Sequence, residues 1–121
     1  VSSKIYDALA AQWAQVLLAD NTYASLHYEV PSQTEPGDSE VSGPSYSRAI
    51  LSWDDSTSPR LLSNVQQLVW QNLDAVTIVG VGVWSQPTSG DLWVFAQLDA
   101  PVVVAERGSY SLDVGSLWVS I

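Results

Sequence analysis

His27 is the one histidine of the chain and the first candidate for chemistry, because imidazole is the side chain that titrates nearest neutral pH. A catalytic histidine needs a nucleophile or a partner acid within hydrogen-bond reach. His27 stands in an alternating run, Tyr23 to Val30, on the side of Ser25 and Glu29 and opposite Ala24, Leu26, Tyr28 and Val30. No serine of the chain sits in a nucleophile-elbow pattern. His27 therefore reads as a surface or interface residue of a half-buried strand. Asp54-Asp55, followed by Ser56 and Thr57, offers oxygen ligands of the kind calcium takes. The alternating acids, the glycine and the bidentate glutamate of a calcium loop are missing, so the pair reads as the cap of a turn. Asp91, Asp99 and Asp113 fall at strand ends and turns, and no spacing selects two of them as a glycosidase acid and base. Cysteine is absent, which removes disulfides, thiolate nucleophiles, zinc knuckles and iron–sulfur ligation. The expectation is a non-enzymatic chain with no catalytic residue, no metal and no cofactor.

Something other than chemistry must then account for its make-up. The 121 residues suit one domain, 1–121. Hydrophobic residues make up 46% of it, with six Trp and five Tyr, so a disordered chain is excluded. Four Lys and Arg stand against thirteen Asp and Glu, a formal net charge of −9. Nucleic acid needs cationic side chains to displace its counterions, so direct nucleic-acid binding is not expected. The longest apolar run, Ala75 to Trp84, is about half a membrane span and contains Gly80 and Gly82. No membrane crossing is expected, and Asp7 and Gln12 interrupt any secretory leader at the first residues.

The elements follow from hydrophobic period. Ile5, Leu9, Trp13, Val16 and Leu17 recur at helical steps after Ser2 and Ser3, which predicts an amphipathic helix over about residues 3–19, ending at Asp20-Asn21. From Tyr23 onward, over 23–121, the period is two. After the strand Tyr23 to Val30 comes a polar loop, Pro31 to Pro44. Ser47 to Trp53 places Ala49, Leu51 and Trp53 on one face, and Asp54 to Pro59 reads as a turn-rich break. Leu61 to Trp70 fits a strand or a short helix, and the strands around it favour a strand. Ala75 to Trp84 is a Val- and Ile-rich strand whose glycines mark close backbone approach or a bulge. Gln86 to Gly90 turns it into Leu92 to Leu98. Asp99 to Pro101 turns again before Val102 to Ala105, Tyr110 to Val114 and Leu117 to Ile121. The class this predicts is mainly β: an antiparallel β-sandwich or partly open barrel with one N-terminal helix.

Aromatic surplus is the feature that such a scaffold leaves over. Trp13 lies on the helix stripe and Trp53 is in phase with core residues. Trp93 and Phe95 share the face opposite Leu92 and Val94, where a sandwich with one inner face would be polar. An apolar second face indicates contact with another element or another subunit. Trp13, Leu17, Trp93 and Phe95 are the residues expected at contacts.

A family resemblance runs through the same segments. Ser39 to Arg48, SEVSGPSYSR, resembles the EVSGGSYAR box of small phage tail-fibre-like proteins. Tyr23 to Tyr28, YASLHY, resembles the YLALHT strand before that box, and Gly82 to Leu98 resembles the segment GIFDAATGGNLLWWGAL after it. Pro101 to Val104 with Arg107-Gly108 stands where the family ends on AGDT. The chain departs at Pro44, where glycine is usual, and at Gln86-Pro87, where alanines are. Within the box Glu40, Gly43, Tyr46 and Arg48 read as fold-building residues, Arg48 opening a strand and reaching back to Glu40 across the turn. The resemblance implies a structural protein of a tailed-phage virion, a tail-fibre-like or minor tail protein. The apolar helix stripe and the Trp93/Phe95 face add the expectation that it self-associates, as a homotrimer, and attaches to other virion proteins. The alternatives are a capsid decoration protein and a receptor- or glycan-binding module at a fibre tip.

Overall fold

A computed structural model describes residue 15 and residues 21–58 and 61–120. Nine strands supply nearly all of the regular secondary structure of the described chain: β1 Thr22–His27, β2 Ala49–Leu51, β3 Trp53–Ser58, β4 Leu61–Asn64, β5 Leu68–Leu73, β6 Val76–Trp84, β7 Leu92–Val104, β8 Gly108–Leu112 and β9 Trp118–Ser120. A single 3-10 turn, Pro36–Ser39, interrupts the loop after β1. The strands form three sheets, ordered β2-β1-β6-β7, β3-β4-β9 and β5-β8.

The expected class is corrected here. All three sheets are open and none closes into a barrel, and the described residues include no amphipathic helix. Apart from residue 15, the helix expected over 3–19, with Trp13 and Leu17, lies outside the described residues.

The four-stranded sheet is antiparallel throughout. β1 pairs with β2 at Thr22↔Leu51 to Ala24↔Ala49, and with β6 from Tyr23↔Trp84 to His27↔Gly80. β6 in turn pairs with β7 from Trp84↔Leu92 to Val76↔Val104. One face of this sheet presents Ala24, Leu26, Val81 and Val83 to a core cluster that also takes Trp53, Leu62 and Leu117 from around the second sheet. Leu68, Trp70 and Leu73 enter the same cluster from β5. Leu26, Leu51, Leu62, Leu73 and Ile78 are at most 2% exposed. Burying a side chain of this size contributes about 1.5–3 kcal/mol. The indole N–H of Trp53 donates to Thr22 Oγ1 at 2.8 Å, so the seam between two sheets is bonded as well as packed.

Three further expectations are corrected. Asp54 to Ser58 is not a break but the body of β3, with Asp54 opposite Ser63. Asp99 to Pro101 is not a turn between strands. It lies inside the 13-residue β7, where a bulge absorbs the extra residues between Gly80↔Gln97 and Ile78↔Val102. β1 stops at His27, so Tyr28 and Val30 are 42% and 59% exposed instead of continuing the buried face.

Candidate functional site

The polar side of β1 faces inward. Ser25 and His27 are both 0% exposed, which corrects the reading of His27 as a surface residue. They lie on the face of the four-stranded sheet opposite the core cluster, and glycine makes the room for them. A Cβ on Gly82 would sit 2.6 Å from Ser25 Oγ and 2.8 Å from His27 Nε2. A Cβ on Gly80 would overlap the ring of Phe95 and lie 2.7 Å from the Ala96 carbonyl. Phe95 fills the space over Gly80 and meets the His27 ring edge-on at 5.6 Å, while Trp84 lies parallel to it at 6.4 Å.

A directed hydrogen-bond chain crosses this layer. The Trp84 indole nitrogen can only donate, and it reaches Ser25 Oγ at 2.7 Å. Ser25 then spends its own proton on His27 Nε2, 2.7 Å away. With Nε2 accepting, the imidazole carries its proton on Nδ1 and donates it to Ser39 Oγ at 2.9 Å. Ser39 passes its hydroxyl proton to the Pro36 carbonyl at 3.3 Å. Because Ser39 donates to the Pro36 carbonyl and the indole can only donate, this is the arrangement in which every donor of the chain has an acceptor. A second proton on Nε2 would face a serine oxygen already receiving from Trp84 and would displace the serine proton into a dry site. Burial accordingly lowers the imidazole pKa from 6.5 to about 4, with the Glu40 charge raising it and the Arg48 charge lowering it by smaller amounts. A Ser–His pair is thus present, but it is sealed and its base is committed.

The box after the loop is held by charge. Arg48 donates to Glu40 twice, Nε to Oε2 at 2.9 Å and Nη2 to Oε1 at 2.8 Å. Both side chains are largely buried, at 7% and 14% exposure. The Tyr46 hydroxyl donates to Glu40 Oε2 at 2.6 Å and accepts from the Leu26 amide at 3.1 Å, tying the box to β1. Burial, and then the bond to Glu40, push the Tyr46 phenol well above its usual range. The remaining arm of Arg48, Nη1, donates to the carbonyls of Gln86 and Ser89, closing the β6–β7 turn. Its guanidinium lies 3.8 Å over the Trp84 ring, a cation–π contact. Gly43 turns the chain into the box at φ 143.

Several large apolar side chains also face outward from the strands. Trp93 is 39% exposed and Val103 79%, both on β7, and Trp118 is 59% exposed on β9. A groove of about 330 Å³ runs between β7 at Leu92–Phe95 and the loop at Val30–Pro36. Of the expected contact residues, Trp93 borders this groove exposed and Phe95 borders it half-buried. Among the described residues no group of three His, Cys, Asp or Glu is placed to hold a metal ion, Asp91, Asp99 and Asp113 included. The signal for the buried layer was present in the glycines of β6. Two glycines at alternate positions strip one face of a strand bare, and something from the neighbours must fill it.

Residues 1–120 match the family model described as Gp80, Podophage GP4 fiber I protein gp80. No curated protein matches the chain.

Proposed function

Because the chain belongs to the Gp80 family of podophage fibre I proteins, it is a non-enzymatic structural component of the virion, and we propose that it works there by self-association and attachment through an exposed apolar surface. The carrying observation is the outward exposure of Trp93, at 39%, on a strand whose neighbours Leu92 and Val94 are also partly open. A tryptophan presented beside a groove is the kind of anchor that dominates association energies. The polar inner layer supports the same reading, because His27, Ser25 and Glu40 are occupied with holding the scaffold rigid. Phe95 contributes from beneath, through its contact with His27. Trp13 and Leu17 belong to the proposed contact set by their sequence pattern. The finer expectation is three copies, which a mass in solution reads directly.

Trp93→Ser is the clean test, since Phe95 is packed over Gly80 and its loss would disturb the fold. The variant should stay folded and associate about 30-fold more weakly, the effect of losing one interface anchor worth about 2 kcal/mol. A wild-type chain that stays monomeric at high concentration by size exclusion with light scattering would overturn the proposal. One observation favours a second reading, as a glycan-binding module: Ser32 and Gln33 line the groove together with Trp93, placing hydrogen-bonding groups beside an aromatic face. A glycan array that loses its signal on Trp93→Ser, with association unchanged, would select it.

A further inference from the structure

The direction of the backbone groups along β7 can be worked out from its neighbours. The amides of Tyr28 and Val41 bond to Ser39 O and Leu26 O, at 3.1 and 2.8 Å, and the Leu26 amide bonds to Tyr46 Oη. Leu26 and Tyr28 therefore point their main-chain groups away from β6, and Ser25 and His27 point theirs toward it. Ser25 and His27 face Gly82 and Gly80, so those two glycines bond to β1. The alternation then turns Val81 and Val83 toward β7, where they meet Ala96 and Val94. Phe95 and Gln97 are left with their N–H and C=O groups directed away from β6. β7 is the last strand of its sheet, so this row opens onto no strand among the described residues.

Natural sheets blunt such edges with lysine, proline, bulges or short strands. The second half of β7 is blunted in this way, by the bulge at Leu98–Pro101 and by Pro101, which has no N–H. The first half is not. Leu92 to Gln97, LWVFAQ, has no charge, no proline and no glycine, a composition that seeks strand pairing. In a chain of net charge −9, it is also a stretch along which two copies can approach without apposing carboxylates.

We propose that the Leu92–Gln97 edge of β7 is a strand-addition site, filled by an extended segment of a second copy of this chain, whose main chain pairs with the outward groups of Phe95 and Gln97. The inference deepens the self-association reading and rests on it. Main-chain pairing sets register and direction, and Trp93 beside it supplies apolar burial.

The test separates the backbone from the side chains. Gln97→Pro removes one outward N–H and leaves the bonds to β6 intact, a substitution that edge strands accept. It should give a folded chain that associates at least tenfold more weakly, with every apolar side chain still in place. Amide exchange on the wild type needs no variant: the Phe95 and Gln97 amides should exchange freely in dilute solution and at least tenfold more slowly when concentrated. If the wild type associates while both amides stay unprotected, the edge is not the site, although the apolar-surface reading survives. Protection of both amides in the dilute monomer would mean that the chain covers its own edge, and would overturn the proposal. A wild type that is monomeric at every concentration removes both readings.

Discussion

Acid should weaken this protein through His27 by an amount the structure fixes. The imidazole is buried and neutral, with its pKa lowered from 6.5 to about 4. In the unfolded chain it takes up a proton as the pH falls below 6.5, and in the folded chain not until about 4. The unfolded state therefore binds more protons across that window. The stabilisation from keeping His27 neutral is fully present above pH 6.5 and is lost as the pH falls toward and through 4. At 1.36 kcal/mol for each pH unit of the window, the loss is about 3 kcal/mol. That is a large share of the roughly 5–15 kcal/mol that holds a typical domain folded. Carboxylates titrate over part of the same range, so the assay must be differential. Denaturant unfolding of wild type and His27→Gln, at pH 7.5 and pH 4, isolates the imidazole because the other groups are common to both. The stability difference between them should shift by about 3 kcal/mol against the wild type on acidification. A difference that stays constant with pH, or an imidazole NMR titration centred near 6.5, would refute the burial of a neutral His27.

Trp84→Phe removes the indole donor to Ser25 but keeps an aromatic ring over His27, so the imidazole, lowered mainly by burial, should still titrate well below 6.5; an NMR titration that returned to 6.5 would show that burial is not what lowers it. Arg48→Ala leaves Glu40 largely buried without its cation and opens the clamp on Gln86 and Ser89. Denaturant unfolding should show a loss of about 3–5 kcal/mol, and a loss under about 1 kcal/mol, the worth of a surface pair, would count against it. Gly80→Ala drives a methyl into Phe95 and the Ala96 carbonyl and should cost about 1–3 kcal/mol in the same assay, whereas Gly37→Ala, with nothing within 4 Å of its Cβ, should be close to neutral.

The parts of the fold legible in sequence are those where local pattern and tertiary environment agree. The Val- and Ile-rich run ending at Trp84, the turn after it and the return from Leu92 announce a hairpin without help from elsewhere. Ala49, Leu51 and Trp53 alternate inward, as their period says. Errors arose where turn-forming residues sit inside paired strands. Asp54 to Ser58 and Asp99 to Pro101 both contain breaker residues, yet β3 and β7 run through them with shifted register. A bulge tolerates residues that a regular ladder rejects. The distant contacts were illegible for a plainer reason. Glu40 and Arg48 are eight residues apart, within reach of a reading of one turn, but the carbonyls that Arg48 also clamps lie 38 and 41 residues away.

Alternation in sequence implies one wet face and so gives no sign of the buried layer. That inference holds for a sheet with a single covered side. Here Gly80 and Gly82 remove two side chains from the second face, and the vacated volume admits Ser25, His27, Trp84 and Phe95 as a packed layer with its own hydrogen bonds. The loop residues Pro36 and Ser39 complete the bonding from the far side. The consequence reaches function. With one face spent on the core and much of the other on this layer, the four-stranded sheet has little free face with which to meet another subunit. What it retains is the Trp93 side of a groove and the unpaired margin of β7, and backbone at a margin recognises backbone. On the proposed reading a fibre subunit gains rigidity from its interior polar groups and adhesion from its edge, so the two properties should be separately alterable. His27→Gln should change stability with pH and leave association intact, and Gln97→Pro should do the reverse. Loss of association in His27→Gln under conditions where it remains folded would show that the two are coupled.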